Sequence, residues 1–369
     1  SVAGSPSSGA AYTIAMSAPY DLAVNLPLRS GVAARLHEAL AGFPMHVDIL
    51  GYPPAQGSLA VREAIAGWMR RHGGHSAVDP RQLVLTLGGR HALSLALDET
   101  CAPGDTLLME GPTYHGFRTA AQARGVLVAD VAMDSHGMLP DALDRAAAST
   151  GARTVYIQPT LQNPTTSTMP LARRHEILRV VVERDLTVIE GDVYAALAWH
   201  GGEPLPALAD LAPERCFHAG GIGKILGPGL RVGWLLLPDD ASRDRVSESI
   251  RLESDGLPAL LPAVVAGWMA DGTADLLLAN LATAMHERNR LARSIVGDDL
   301  LTAGGLHAWL PTDDAEGIES RAAAGGVRLT PSRMLQVAGE PARGIRLCLG
   351  AEESTGRLEA ALRIVAASR

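Results

Sequence analysis

Between residues 83 and 237 the chain alternates short apolar, β-type runs with helical stretches, and that alternation limits it to few architectures. The β-type runs lie at residues 83–87, 106–110, 126–131, 154–158, 186–189, 216–219 and 232–237. Helical periodicity fills 91–100, 114–123, 140–148 and 171–184 between them. Strands that recur with a helix in the gap predict an α/β fold, its parallel strands covered by helices. Ligands in such folds meet the C-terminal ends of the strands. Helices are also predicted at 32–41 and 58–72. After residue 237 the pattern turns strongly helical, with apolar stripes over 260–292 broken at Gly272. Further β-type runs at 305–310, 326–330 and 345–349 and a last helix over 354–367 complete the chain.

At 369 residues the chain exceeds a typical single core, so two domains are expected. Residues 1–20, rich in Ser, Ala, Gly and Pro, read as a flexible leader or linker. The formal net charge of -8 argues against direct nucleic-acid binding, because phosphate contacts need a basic face. No apolar run has transmembrane length, and no basic n-region precedes an apolar h-region. Cys101, Cys216 and Cys348 are far apart and odd in number, which fits reduced thiols in a cytoplasm. His72 and His75 sit in a Gly-rich loop without a Cys/His cluster and read as solvated, so no metal is expected.

Several residue types fall where a ligand would need them. Lys224 lies between a glycine-rich turn, Gly221-Ile222-Gly223, and Pro228-Gly229-Leu230-Arg231. Glycines let a ligand approach, and a desolvated lysine amine becomes a nucleophile; alone, Lys224 would read as a surface loop residue. The run at 83–87, then Gly88-Gly89-Arg90, then a helix is physically an anion site, since free N–H groups and the helix dipole face a phosphate. Asp192 follows the run at 186–189. Asn163 stands before a proline, Tyr52 in a Pro/Gly loop, and Arg346 in a C-terminal β-type run.

The ordered motifs, from residue 21 to the end, resemble class I/II aminotransferases, pyridoxal phosphate enzymes of fold type I. The match is carried by Lys224 with Pro228-Gly229-Leu230-Arg231-Val232-Gly233-Trp234, by Glu110-Gly111-Pro112-Thr113-Tyr114, by Gln162-Asn163-Pro164-Thr165 and by Glu190-Gly191-Asp192-Val193-Tyr194. The resemblance implies a mostly parallel seven-stranded sheet between helices plus a smaller α+β C-terminal domain. It implies residues 49–257 as the large cofactor domain, 258–369 as the small one, and 21–48 packing on the latter. Lys224 is implied as the Schiff-base lysine and Arg231 as a phosphate grip. Gly88, Gly89 and Arg90 are implied as phosphate contacts, and Tyr114 as the aromatic stacked on the pyridine ring. Asp192 is implied as the partner of the ring nitrogen, and Asn163 and Tyr194 as partners of the phenolic oxygen. Arg346 is implied to bind the substrate α-carboxylate with two prongs, with Asn163 beside it. Tyr52 is implied to reach the cofactor of a partner subunit, hence a homodimer with shared sites.

The sequence departs from the family pattern at four places. Gly221 and Gly223 stand where serines are usual, Gly191 replaces an aspartate, and Thr166 replaces a glycine. The small residues suggest weaker phosphate holding or extra room. The run 160–177 resembles the aminotransferase-like domain of GntR/MocR-type regulators and related stand-alone transaminases. Three functions follow: amino transfer from an α-amino acid to a 2-oxo acid, effector sensing for a regulator, or diverged β/γ-carbon chemistry. Arg29 and Arg333 are weighed as contacts to a substrate side group and read as surface residues.

Overall fold

The computed structural model describes residues 19–335 and 342–369. Most of the expected leader lies outside these residues, but Tyr20 already belongs to a strand. The strands, in chain order, are β1 (Tyr20–Asp21), β2 (Leu83–Thr86), β3 (Thr106–Gly111), β4 (Leu127–Asp134), β5 (Gly137–Met138) and β6 (Thr154–Ile157). They continue with β7 (Thr187–Asp192), β8 (Cys216–Gly221), β9 (Gly233–Leu236), β10 (His307–Pro311), β11 (Val327–Arg328) and β12 (Gly344–Cys348).

One sheet carries eight of them in the order β2-β9-β8-β7-β6-β3-β4-β5. Its centre is parallel, and only β9 and β5 oppose their neighbours. The expected seven strands are all present. The eighth, β5, is a two-residue return from β4, too short to leave a pattern in the sequence.

Every residue of β2, β6 and β8 is buried, as strands covered on both faces require. Side chains alternate between two cores. Leu107, Met109, Tyr156, Ile189 and Phe217 enter one; Leu108, Val155, Ile157, Val188 and Cys216 enter the other. Helices Leu59–His72, Gly89–Thr100, His115–Ala123, Pro140–Thr150 and Leu171–Glu183 occupy the gaps where periodicity places them. Ser58 starts the first of these by accepting the Val61 N–H.

The smaller C-terminal part holds the antiparallel pair β10–β12 and the long helix Thr273–Val296, against which helix Thr355–Ala367 packs. Helix Leu260–Asp271 meets Thr273–Val296 at an 82° bend. Among the described residues no single helix is long and apolar enough to cross a membrane. The N-terminal segment runs along this part: β1 pairs with β11 in parallel, the Cys348 N–H donates to the Leu22 carbonyl at 2.9 Å, and Arg29 pairs with Glu353 at 2.9 Å. That path delivers residues 23–25 to the C-terminal edge of the sheet.

Candidate active site

The turn after β2 is a preformed anion cup. Gly88 takes φ +78°, a conformation that disfavours side chains, and heads helix Gly89–Thr100. The helix N-terminus therefore presents unpaired N–H groups. The Arg231 guanidinium lies beside this turn and donates to the Leu87 carbonyl. Its Cζ is 3.5 Å from the position a Gly88 β-carbon would take. The Arg90 guanidinium donates to the Gly116 carbonyl at 3.0 Å. Gly221 backs the cup, since a β-carbon there would stand 3.1 Å from the Gly89 nitrogen.

Lys224 projects from the short turn after β8, half-buried, and its Nζ donates to the Asn25 carbonyl at 2.6 Å. Burial lowers its amine to about 8, and the Arg346 charge acts in the same direction. The Asn25 amide donates to the Tyr194 hydroxyl at 2.8 Å and lies 3.0 Å from His307 Nδ1. His307 Nε2 meets the Gln162 carbonyl at 3.1 Å, so the neutral ring carries its hydrogen there and accepts from Asn25 at Nδ1. Arg346 is buried and ties three segments together. It donates to Asn163 Oδ1 at 2.8 Å, the Ala23 carbonyl at 2.7 Å and Thr330 Oγ1 at 2.8 Å. Its Nε and the Asn25 Oδ1 are buried without partners among the described residues, so polar capacity remains at this wall.

Asp192 ends β7 and accepts the Ala195 N–H at 3.1 Å. Burial, reinforced by the Glu190 charge, pushes its carboxyl up to about 6, against the pull of His218 and Arg174. Glu190 and His218 face it from β7 and β8. Here the solvated reading of His75 is corrected: its ring is 4% exposed and packs edge-on against His218 at 4.6 Å. His72 binds Asp275 at 2.6 Å. The extra room expected at Gly191 is also corrected. A β-carbon there would sit 2.8 Å from the Tyr156 ring, which fills the space.

A model of the aminotransferase class I and II family matches residues 20–363. The chain belongs to this family. Among curated relatives of this aminotransferase-family chain, the uncharacterized HTH-type transcriptional regulator YdeF of Bacillus subtilis (strain 168) is 28% identical over 85% of the chain and 68% of its own length. A 2-aminoadipate transaminase of Thermus thermophilus is 32% identical over 52% of the chain and 47% of its own length. The first four curated relatives are covered over 40% to 68% of their length. Among solved structures, an archaeal alanine:glyoxylate aminotransferase matches with TM-score 0.84 at 23% identity, over 95% of this chain and 90% of that one. LysN, the α-aminoadipate aminotransferase of Thermus thermophilus solved with N-(5'-phosphopyridoxyl)-L-leucine, matches with TM-score 0.83 at 24% identity, over 95% and 92%. These likenesses establish fold type I.

The family's cofactor is pyridoxal 5'-phosphate, and the site described above fits it: an anion cup, a lysine with a lowered amine, a buried carboxylate and unfilled polar capacity at Arg346 and Asn25. Lys224 is moreover the one lysine in the sequence; every other basic side chain among its 32 Lys and Arg is an arginine. Tyr114 starts helix His115–Ala123 beside the Glu110-Gly111-Pro112 turn. Tyr52 is not brought to this site; it is 89% exposed on a segment that also exposes Met45, Val47 and Leu50. Arg29 is taken by Glu353 and Arg333 is exposed, so neither joins the pocket within this chain. Thr166, at φ +64°, occupies a conformation that explains the glycine of the family pattern.

Three groups escaped sequence reasoning. Asn25 and His307 converge from positions 282 residues apart, which no local pattern reveals. Glu110 is fully buried, and burial pushes its carboxyl up to about 8 despite hydrogen bonds from Gln158 and Gln162 at 3.2–3.3 Å. Gln158 in turn accepts the Asn163 N–H at 3.4 Å, so this network braces Asn163. The signal was the pair of glutamines flanking residues 159–161, both apolar-run neighbours with no evident surface role.

Proposed function

We propose that the chain is a pyridoxal-phosphate-dependent aminotransferase acting on an α-amino acid, with transfer to a 2-oxo acid. The observation that carries this reading is Lys224, the sole lysine, with its amine lowered to about 8 and set between the anion cup and the Asn25–Tyr194 pair. When bound, the cofactor supplies an electron-withdrawing ring that acidifies the substrate Cα–H. The chain's residues do the rest. Gly88, Gly89 and Arg231 bind the phosphate through N–H groups and one guanidinium, and Arg90 contributes backbone only. Asp192 holds the proton on the ring nitrogen, and Asn163 and Tyr194 orient the ring edge. Tyr114 covers its face. Arg346 binds the α-carboxylate, with Asn163 fixing its plane. Lys224 would hold the cofactor through its Nζ, and once the substrate's amine has displaced it the freed amine would carry the proton at Cα, a role its lowered basicity suits near neutral pH.

The same reading makes the protein a homodimer. The exposed apolar run of Met45, Val47, Leu50 and Tyr52 supports a subunit interface through which Tyr52 reaches the partner's phosphate. Three unpaired thiols support a cytoplasmic setting. A second reading, effector sensing for a GntR/MocR-type regulator, is favoured by the YdeF match over 85% of the chain. Turnover separates the two: with an amino donor and a 2-oxo acid, the enzyme reading predicts steady formation of the new amino acid. Cofactor binding with no turnover across donors contradicts it and selects the sensor.

A further inference from the structure

Glu190 and Asp192 are two residues apart on β7 and so share one face of the sheet. His218 pairs with Glu190 in register on β8 and shares that face. The ligand-type atoms of the three all lie within 4.8 Å of one another, and all three residues are buried. Two carboxylates this close in an apolar interior cannot both ionise without a cation between them.

Glu190 is fixed by its hydrogen bonds. Oε1 accepts the Leu208 N–H and Oε2 the Ala209 N–H, each at 2.9 Å, and Oε2 also meets His218 Nδ1 at 3.2 Å. Such N–H donors favour the ionised carboxylate. They also occupy the oxygens a metal ion would need, so the cluster is better built for a proton than for a metal. The other nearby cation, Arg174, spends its hydrogen bonds on neutral oxygens of Met169, Pro206, Pro159 and Thr160 and acts only through its field. The remaining titratable neighbours add no fixed cation. His75 lies edge-on to His218, and burial with the His218 charge lowers it to about 3. The Cys216 thiol, at the start of β8, is pushed up by burial, and the Asp210 charge acts on His75. His72 shares with His218 and Asp192 the lining of a void of about 20 Å³, and burial lowers it too.

We propose that His218 is a positioning residue for Asp192: clamped by Glu190, its imidazolium is the counter-charge that keeps the Asp192 carboxylate ionised where the cofactor nitrogen meets it. The purpose of that charge rests on the function proposed above; the charge itself does not. Burial alone would lower the His218 imidazole, but the Glu190 hydrogen bond and the charges of Glu190 and Asp192 raise it. Glu190 follows the same logic: burial opposes its charge, yet His218 and the backbone donors hold it at about 2. Removing the imidazolium leaves Asp192 with burial and Glu190 pushing its proton on and only Arg174 and the Ala195 N–H resisting.

The first test needs no cofactor. In apo-protein labelled at histidine, the NMR titration of His218 should have its midpoint above the ordinary value of about 6.5, and Glu190→Gln should lower it by about one pH unit or more. A His218 already neutral at pH 6.5 in the wild type overturns the proposal. The second test titrates pyridoxal phosphate into wild type and His218→Gln. Binding should be about tenfold weaker in the variant at pH 7, one pH unit of carboxylate titration being a factor of ten. The gap should close as pH falls below about 6, where wild-type Asp192 also takes a proton. An equal constant in both proteins across that range overturns the proposal. If the wild type binds no cofactor, the function reading fails, and the apo titration still decides the His218 charge.

Discussion

Replacing Gly191 by alanine tests how Asp192 is held in place. Gly191 faces away from the Asp192 side of β7, and Tyr156 lies across it. An added β-carbon would stand 2.8 Å from both Cε2 and the hydroxyl of Tyr156. That ring is 2% exposed and meets Phe117 edge-on at 4.7 Å, so it has no free direction in which to swing. Relief must come from β7, which carries Asp192. Overpacking of this kind costs about 1–3 kcal/mol. Denaturation of the apo-protein would measure it, in a double-mutant cycle with Tyr156→Leu, which removes the ring. A coupling of about 1–3 kcal/mol is expected, with the alanine better tolerated beside leucine. Cofactor binding should weaken in Gly191→Ala alone, because the displaced strand misplaces the carboxylate. A Gly191→Ala protein as stable as wild type, or one destabilised equally in both backgrounds, would refute the packing argument.

Three further outcomes are expected. Glu110 keeps its proton in the folded protein up to about 8, whereas an unfolded glutamate loses it near about 4.3. The folded state therefore binds more protons between those values, and apo stability should fall as pH rises through that window. Glu110→Gln should flatten the decline, though Asp192 contributes the same sign up to about 6; an unchanged slope in the variant contradicts it. Restoring serines in Gly221→Ser/Gly223→Ser should tighten pyridoxal phosphate binding about tenfold or more, since a charged hydrogen bond is worth roughly 1.5–3 kcal/mol. The new β-carbons meet Gly89 N at 3.1 Å and Pro228 Cα at 3.2 Å, a fit that needs only small adjustment, and weaker binding would show that the backbone does not give. Tyr52→Ala should weaken cofactor retention while leaving monomer folding intact, because Tyr52 is 89% exposed within one chain; equal retention at every protein concentration speaks against a shared site.

Much of the framework was legible because it is local. Each β-type run between residues 83 and 237 became a sheet strand: most are buried on both faces and so apolar at nearly every position, whereas β4, largely exposed, was marked by its alternation with helices. The motif around Lys224 was legible for the same reason: its glycines, proline and arginine lie within a few residues of one another. What stayed hidden is what depends on packing across the fold. Gly191 looked like spare room because nothing near it in sequence reports that Tyr156 fills the space. His75 looked solvated because its loop is glycine-rich, yet the fold packs it onto His218. Asn25 carried no local sign of meeting Lys224, since only the route of residues 19–29 along the C-terminal part brings them together. The helix Asp240–Ser254 falls in the strongly helical stretch after residue 237, but its bounds left little imprint, because it buries only Ser242, Val246 and Ile250.

The central claim is that Lys224 holds the cofactor. Incubating the protein with pyridoxal phosphate, reducing with borohydride and mapping the adduct by peptide mass spectrometry tests it directly. Because Lys224 is the one lysine of the sequence, the alternative primary amine is the chain's α-amino group. One stoichiometric adduct is expected on the peptide containing Lys224, absent from Lys224→Ala. A protein that stays unmodified, or carries its adduct at the N-terminus, would contradict it.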